Sequence, residues 1–315
     1  MDAVRGMPVD LPLVTTDTHP RTHDEEVAID PDLVRRLLAE QMPAWAGLPV
    51  RPVAPRGTVN AMYCLGDDLV VRLPRMAAWA GDLDREREWL PRLRARISLR
   101  VPEPVAHGNP TEQFPLPWAV YRWVDGDQYA DGLVDDEPAA ADDLARFVRE
   151  LRAGPVEDAP STGRRPLAEL DVETRSAIVE AGDLLDTSAV LAAWNRALEA
   201  PVVAGDKVWI HTDLLRPNLL VQDGRLAAVI DFGAVGVGDP AADVIAAWAV
   251  FGPEGRRRYR EALDVDDATW ERARGYALTQ AALIVPYYRD TNPPFTASAL
   301  RTIGEVLADL GVSHT

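Results

Sequence analysis

The stretch that decides the fold runs from His211 to Asn218 and reads HTDLLRPN, and a second stretch, from Ile230 to Gly233, reads IDFG. Together they form the pattern H-x-D-x-x-x-x-N, then a predicted hairpin, then D-F-G. A lone D-F-G or H-x-D would be ordinary turn sequence, because Asp, Asn and Gly are common turn residues. The joint spacing, with short apolar strands around it, is far more specific and indicates a chemical site.

The residue types in this pattern suit the transfer of a phosphoryl group. Asp213 is a carboxylate that can orient a hydroxyl nucleophile and accept its proton. Mg²⁺ prefers hard oxygen ligands and keeps several waters, so the Asp231 carboxylate and the Asn218 amide would suffice beside the phosphates of a nucleotide. We expect His211 to hold the loop backbone by hydrogen bonds rather than to act as a base.

The composition indicates which partners the protein does not bind and which cellular compartment it suits. The chain has 315 residues, with 33 Lys and Arg against 50 Asp and Glu, for a net charge of −17. An acidic surface of this kind repels nucleic acid and anionic membranes, so neither is expected as a partner. Cys64 is the single cysteine and excludes an intrachain disulfide, which fits a reducing cytoplasm. Residues 1–26 do not resemble a signal peptide, and no apolar run is long enough to span a membrane.

Periodicity along the chain predicts an α+β protein with two lobes. Residues 1–27 are rich in Pro, Thr, Asp and His without any period, and we expect a flexible arm. Residues 28–125 are rich in strand patterns and predict a small N-lobe. Residues 126–315 carry mostly helical patterns and predict a larger C-lobe. Within it, Asp239-Pro240 is expected to open one helix that contains Trp248.

The segment from Trp209 to Trp248 resembles the aminoglycoside phosphotransferase family, whose members are relatives of protein kinases. It includes the sequence GVGDPAAD at 236–243, and the similarity is expected to run from about residue 30 to 312. The usual family loop reads HGDLHPGN, whereas this chain has Thr212 in place of the glycine and a different triplet before the asparagine. The resemblance implies a two-lobed protein-kinase-like fold, ATP and Mg²⁺ as cofactors, and a small-molecule hydroxyl as acceptor. It also implies that Asp243 supports the catalytic loop.

The resemblance further implies that the N-lobe binds the nucleotide. Arg72 stands where kinases have a strand lysine that contacts the α- and β-phosphates, and arginine can still bind phosphate. Its implied partner is Glu86, which is favoured over Glu88 because similar proteins place the acid three residues before the tryptophan. The loop containing Gly57, Thr58 and Asn60 would cover the phosphates with backbone N–H groups. Each feature also has a simpler interpretation. Arg72 could be an ordinary exposed strand arginine, Glu86 could lie on a solvated helix face, and the loop with Gly57 could be a plain turn.

The stretch from Tyr121 to Val124 resembles the hinge that binds adenine through backbone groups, so Arg122 and Val124 are predicted to contact the nucleotide. The acceptor is predicted to bind among the C-terminal helices. Carboxylates that could hold its ammonium groups are few, and each is more often a solvated surface charge: Asp135, Asp136, Glu137, Asp290 and Glu305.

Three hypotheses remain open from the sequence. The first is an active kinase that phosphorylates an aminoglycoside-like antibiotic or an ordinary metabolite such as an amino alcohol or a sugar. The second is a nucleotide-binding module with little catalysis, motivated by arginine in place of lysine at position 72. The third is a metallohydrolase using His211, Asp213 and Asp231, which is weaker because the chain lacks paired histidine spacing.

Overall fold

The chain divides into two units, which are described one at a time. The first comprises the residues up to Ala80 together with 106–120, and the second comprises 81–105 and 121–315. The predicted lobe boundary at residue 125 stays a prediction, and residues 1–26 of the predicted arm lie outside the described residues. The computed structural model describes residues 27–53, 59–162, 164–202 and 207–312.

The first unit begins with helix α1 (Pro31–Gln41), as the Asp-Pro signal predicts. The Asp30 carboxylate caps it by accepting a hydrogen bond of 2.7 Å from the backbone N–H of Leu33, and proline occupies the first turn, where its missing N–H costs nothing. The apolar stripe of the helix is buried in this unit, and it comprises Leu33, Val34, Leu37 and Leu38.

A five-stranded sheet follows, in the order β1-β2-β3-β5-β4. Strands β2 and β3 are the predicted strand-turn-strand, and they pair antiparallel with Met62 opposite Arg72. Gly66 closes their turn with a φ of 63°, a left-handed conformation that glycine adopts without a steric cost. The five strands are β1 (Val50–Pro52), β2 (Asn60–Leu65), β3 (Leu69–Pro74), β4 (Pro104–Gly108) and β5 (Trp118–Arg122).

The second unit is mostly helical. The helices from α2 to α5 are Ala80–Arg94, Glu137–Arg152, Asp171–Ala181 and Thr187–Leu198, and those from α6 to α10 are Ala241–Val244, Ala246–Ala249, Pro253–Leu263, Asp267–Tyr288 and Pro293–Asp309. Helix α9 is central, because it packs against α4, α5, α6 and α10. Of the helices in the described ranges, none is both long enough and apolar enough to cross a lipid bilayer.

Two small sheets in this unit position the HTDLLRPN and IDFG stretches. Strand β7 (Val208–Ile210) pairs antiparallel with β10 (Gly236–Gly238), and β6 (Asp127–Gln128), β8 (Leu219–Gln222) and β9 (Arg225–Val229) form a second sheet in the order β6-β8-β9. The hairpin β8–β9 was predicted. It places Leu219 opposite Val229, and the backbone N–H of Ile230 donates to the carbonyl of Asn218 at 2.9 Å. The end of the first motif is thereby joined to the start of the second.

One helix prediction is wrong. The segment after Asp239-Pro240 forms two four-residue helices, α6 and α7, rather than one, and Trp248 lies on the second. The capping role of Asp239 is present, because its carboxylate accepts from the backbone N–H of Ala241 at 2.9 Å. The same carboxylate pairs with the buried guanidinium of Arg272 at 2.8 Å, which ties α6 to α9.

Candidate active site

The base of the catalytic loop is held by a single buried carboxylate. The oxygens of Asp243 accept from the backbone N–H of His211 at 2.9 Å and from that of Thr212 at 2.8 Å. The Tyr259 hydroxyl donates to the backbone carbonyl of Asp243 at 3.0 Å, so α8 fixes the helix that carries the carboxylate. These contacts support the loop-supporting role predicted for Asp243.

The His211 ring joins the two motifs. Its Nδ1 accepts from the backbone N–H of Asp213 at 3.3 Å, and its Nε2 lies 3.1 Å from the carbonyl of Ile230. Because a carbonyl only accepts, Nε2 must carry the proton, which leaves Nδ1 free to accept. The ring also packs edge-on against Phe232 of the D-F-G stretch, with centroids 4.7 Å apart. His211 therefore holds backbone groups, as expected, and both of its nitrogens are engaged.

The side chains of Asp213 and Asn218 are in direct contact. The Asn218 amide nitrogen donates to Oδ2 of Asp213 at 2.6 Å and to the Asp213 carbonyl at 2.9 Å. With its nitrogen committed in this way, the amide oxygen of Asn218 is the atom left to face a cation.

Asp231 lies close enough for its charge to act on Asp213. Burial raises the pKa of the Asp213 carboxyl above its ordinary value, and the negative charge of Asp231 raises it further. The Arg164 guanidinium and the Asn218 hydrogen bond act in the opposite direction without cancelling the rise. The backbone at Asp231 is left-handed, with a φ of 67°, a conformation that costs energy in a non-glycine residue and is frequent at functional sites.

Glu86 on α2 anchors the D-F-G stretch. Its Oε1 accepts from the backbone N–H of Phe232 at 2.8 Å, and its Oε2 accepts from the Tyr121 hydroxyl at 2.6 Å. The glycine at 233 is required by close packing, since a Cβ there would lie 2.7 Å from the Cβ of Asp82. Helix α2 thus fixes the backbone that follows Asp231. The pairing of Glu86 with Arg72 stays a prediction.

On the first unit, Arg72 and Asn60 lie side by side on neighbouring strands. The Asn60 amide oxygen, in the orientation that satisfies both groups, accepts from Nε of Arg72 at 2.9 Å and from Nη2 at 3.0 Å. Both side chains are buried. Gly57 and Thr58, predicted to cover the phosphates, lie outside the described residues.

Arg122 and Val124 lie on the second unit, at and after the end of β5. The backbone N–H of Arg122 donates to the carbonyl of Glu103 at 2.9 Å, and its side chain is exposed and pairs with the Glu103 carboxylate at 3.4 Å. Val124 is half-buried and lies in the irregular stretch before β6. The Arg122 N–H is thus engaged within the protein, and the nucleotide contacts of Arg122 and Val124 stay predictions.

Two residues beside Asp213 were missed from the sequence. Gln280 on α9 donates from Nε2 to Oδ1 of Asp213 at 2.6 Å. The Arg164 guanidinium donates to the carbonyl of Thr212 and stacks over the Tyr276 ring at 5.7 Å from its centroid. Neither stands in a recognisable motif, and a polar residue within a helical pattern gives no signal of its long-range partner.

The two metal ligands that the site offers, Asp231 and Asn218, suit Mg²⁺, which takes its other ligands from phosphate and water. One carboxylate from Asp231 and one amide oxygen from Asn218 are hard ligands, and Mg²⁺ would complete its shell with phosphate oxygens and water. Among the described residues, no group of three or more His, Cys, Asp or Glu side chains is arranged to hold a metal ion. That finding gives no support to the metallohydrolase hypothesis.

Comparisons with known proteins agree with this geometry. Residues 50–276 match the phosphotransferase enzyme family, abbreviated APH. An aminoglycoside 3'-phosphotransferase of Streptomyces fradiae is 30% identical over 209 residues, which cover 61% of this chain and 66% of the relative. One from Escherichia coli is 28% identical over 134 residues, or 40% of this chain and 49% of the relative. The chain thus spans about half to two-thirds of the length of these relatives.

Solved structures show the same fold. The GDP complex of wild-type aminoglycoside 2'-phosphotransferase-IIIa has a TM-score of 0.71 at 21% identity, covering 90% of this chain and 100% of that one. A macrolide 2'-phosphotransferase type I has a TM-score of 0.60 at 18% identity, covering 86% and 96%. The predicted α+β, protein-kinase-like fold is confirmed.

Proposed function

This chain belongs to the phosphotransferase enzyme family, and on that premise we propose that it transfers the γ-phosphoryl group of ATP to a hydroxyl of a small molecule. The observation that carries the proposal is the contact between Asp213 and Asn218. The amide nitrogen of Asn218 donates to Oδ2 of Asp213 at 2.6 Å, and the charge of Asp231 raises the pKa of the same carboxyl. Two carboxylates and an amide in one place suit a triphosphate and its metal. We further propose a cytoplasmic location.

Asp213 orients the acceptor hydroxyl and takes its proton. Its carboxylate is held on both sides by amide donors, so the oxygens keep a defined direction while a second lone pair on each stays open to a hydroxyl. Asn218 and Asp231 would hold Mg²⁺, which when bound neutralises charge on the phosphates. His211 and Asp243 keep the loop in the conformation that presents Asp213.

Arg72 binds the α- and β-phosphates in this proposal. Asn60 supports that role, because its contacts to Nε and Nη2 of Arg72 hold one edge of the guanidinium in place. Val124 offers its backbone to the adenine, and Arg122, two residues earlier, also contacts the nucleotide in this proposal.

The acceptor is proposed to be an antibiotic hydroxyl, as in the relatives named aminoglycoside phosphotransferases. The carboxylates that could hold ammonium groups are mostly engaged, however. Glu305 pairs with Arg256 and Arg301, and Glu137 accepts from the backbone N–H groups of Gly252 and Gly255 at 3.0 and 3.2 Å. Asp136 caps α3 by accepting from Ala139, and Asp135 packs against Gly224. Asp290 is exposed.

A less cationic acceptor, such as a macrolide, is therefore a second candidate. A hollow of about 10 Å³, roughly the space of one water molecule and partly open to solvent, lies between α7, α9 and α10. Its lining is largely apolar and includes Ile245, Ala249, Ala281, Phe295 and Ala299. Gln280 lies at the same hollow and contacts Asp213, which connects the apolar surface to the proposed base. At this size the hollow holds no part of a drug-sized ligand as it stands, so it contributes an apolar surface beside Asp213 rather than a formed acceptor pocket.

The test is turnover of Mg·ATP, and of Mg·GTP for comparison, against aminoglycosides, macrolides, amino alcohols and sugars. Mass spectrometry detects the phosphorylated acceptor. Wild type is compared with Asp213→Ala and with Asp68→Ala, an exposed turn aspartate on the first unit. We expect one acceptor class to be phosphorylated and only Asp213→Ala to lose activity.

Each other outcome has a distinct meaning. Full activity in Asp213→Ala would remove Asp213 as the base. Binding of ATP without turnover of any acceptor would favour the nucleotide-binding module. Zn²⁺-dependent hydrolysis without ATP would favour the metallohydrolase.

A further inference from the structure

Gln280 reaches the proposed base from a distant part of the chain. It lies on α9, in the turn that follows Tyr276, and its Nε2 donates to Oδ1 of Asp213 at 2.6 Å. This hydrogen bond is as short as the one that Asn218 makes to Oδ2. Each oxygen of the Asp213 carboxylate therefore has its own amide donor, one from the catalytic loop and one from α9.

Two donors on opposite oxygens define the plane of a carboxylate. One donor would leave the group able to rotate about the Cβ–Cγ bond, since that torsion is broad and roughly two-fold. A carboxylate in a defined plane offers its remaining lone pairs in defined directions, which is what the capture of a hydroxyl proton requires. The donor from α9 is thus more than a packing contact.

The orientation of the Gln280 amide is itself set by a neighbour. The Arg164 guanidinium lies 3.4 Å from Oε1 of Gln280 and also donates to the backbone carbonyl of Thr212. Because a guanidinium only donates, the amide oxygen must face it, and the amide nitrogen then faces Asp213. Arg164 also stacks on Tyr276, one turn earlier on α9. The same arginine therefore links α9 to the backbone next to Asp213.

We infer that Gln280, backed by Arg164, is a positioning residue that holds the Asp213 carboxylate in the direction needed to meet the acceptor hydroxyl. This inference rests on the proposed function, in which Asp213 is the base. Since Gln280 also lines the apolar hollow, it joins the acceptor side of the site to the proton-accepting group. The competing role is space filling beside that hollow.

The test compares Gln280→Met, which keeps the length of the side chain without a donor, with Gln280→Glu, which keeps the shape but replaces the donor by an acceptor. The matched control is Thr279→Val, one residue earlier on α9, which removes the buried hydrogen bond of 2.6 Å to Thr174 and does not touch Asp213. The readouts are kcat and the KM for ATP, with water and kanamycin as acceptors, and the melting temperature.

We expect kcat to fall by about 10- to 100-fold in both Gln280 variants, the order of loss that a misplaced catalytic group produces. The KM for ATP should stay within about 2-fold of wild type, because positioning the base leaves nucleotide binding unchanged. Thr279→Val should lower the melting temperature and leave kcat unchanged. This split separates positioning from a general loss of stability.

The inference is overturned if Gln280→Met keeps kcat while Asp213→Ala abolishes it, which would leave Gln280 a packing residue and the proposed function intact. It is also overturned if kcat falls only in proportion to the fraction of enzyme unfolded. Wild-type protein without any ATP turnover would instead defeat the proposed function, and the inference with it.

Discussion

The catalytic loop has a base and a tip, and each depends on an aspartate with different surroundings. At the base, the Asp243 carboxylate is fully buried and accepts from two backbone N–H groups. At the tip, the Asp213 carboxylate is half-buried, is held by two side-chain amides and faces the negative charge of Asp231. At the end of the loop held by Asp243, every backbone N–H named here has an acceptor, whereas at the end that carries Asp213 two negative charges lie near each other. Stability and activity should therefore respond to different substitutions.

The largest effect is expected at the tip. Asp213→Ala should lower kcat by about 10³-fold, within the range that general-base catalysis contributes. The free energy of unfolding should not fall by more than about 1 kcal/mol, because Asn218 and Gln280 are only half-buried and the charge removed is one that the fold disfavours. Steady-state kinetics and urea unfolding measure the two quantities. If Asp213→Ala lost several kcal/mol of unfolding free energy as well as kcat, the two ends of the loop would not differ in their roles.

Substitution of Asp243, at the base of the loop, should lower stability more than activity. Asp243→Ala leaves the buried N–H groups of His211 and Thr212 without an acceptor, at about 1–3 kcal/mol each. We expect urea unfolding to report a loss of about 2–4 kcal/mol. Asp243→Asn, which retains one acceptor oxygen, should lose less. A change below about 1 kcal/mol in Asp243→Ala would mean that the loop does not depend on this carboxylate.

The pH dependence of stability sharpens the comparison. The pKa of Asp213 is raised in the folded protein, chiefly by burial and then by the charge of Asp231. A raised carboxyl pKa stabilises the fold below the unfolded value of about 3.9, and that contribution is lost as the pH rises through the folded pKa.

Asp213→Asn cannot ionise, so metal-free variant protein should gain stability relative to wild type as the pH rises above about 4. Urea unfolding of both proteins across this pH range measures the difference. A difference that stays constant, or one that shrinks, would contradict the assigned direction.

The smallest effect is expected at Thr212, between the base and the tip. Its φ of 76° is left-handed, which costs an L-residue about 1–2 kcal/mol, and this is the position where the resembled family has glycine. Thr212→Gly removes that cost but adds backbone entropy to the unfolded chain, at about 0.5–1 kcal/mol. The net gain should be about 1 kcal/mol or less by urea unfolding. A clear loss of stability in Thr212→Gly would show that the threonine side chain stabilises the fold by more than its left-handed backbone destabilises it.

The sequence predicted the local parts of this site because they follow from short-range rules. The hairpin β8–β9 brings residues 218 and 230 together through one tight turn, and His211 lies directly after β7. The N-cap of α1 at Asp30 follows from its own first turn in the same way.

The parts that were missed depend on distant partners. Gln280 meets Asp213 only because α9 packs in the middle of the second unit, and nothing in the helical pattern marks it. Strand β10 reads Gly-Val-Gly, a weak strand sequence whose pairing is set by β7. The break between α6 and α7 likewise has no proline or glycine to signal it.

The central claim is that Asn218 and Asp231 hold the metal of a bound nucleotide beside Asp213. The most direct measurement is the affinity for Mn²⁺·ATP, followed by the electron paramagnetic resonance of the ion, in wild type, Asn218→Ala and Asp231→Asn, with Asp68→Ala as the control. The account predicts a loss of at least about 10-fold in both site variants, since even outer partners of a metal carry that much affinity, and no change in the control. Wild-type affinity in both site variants would contradict it.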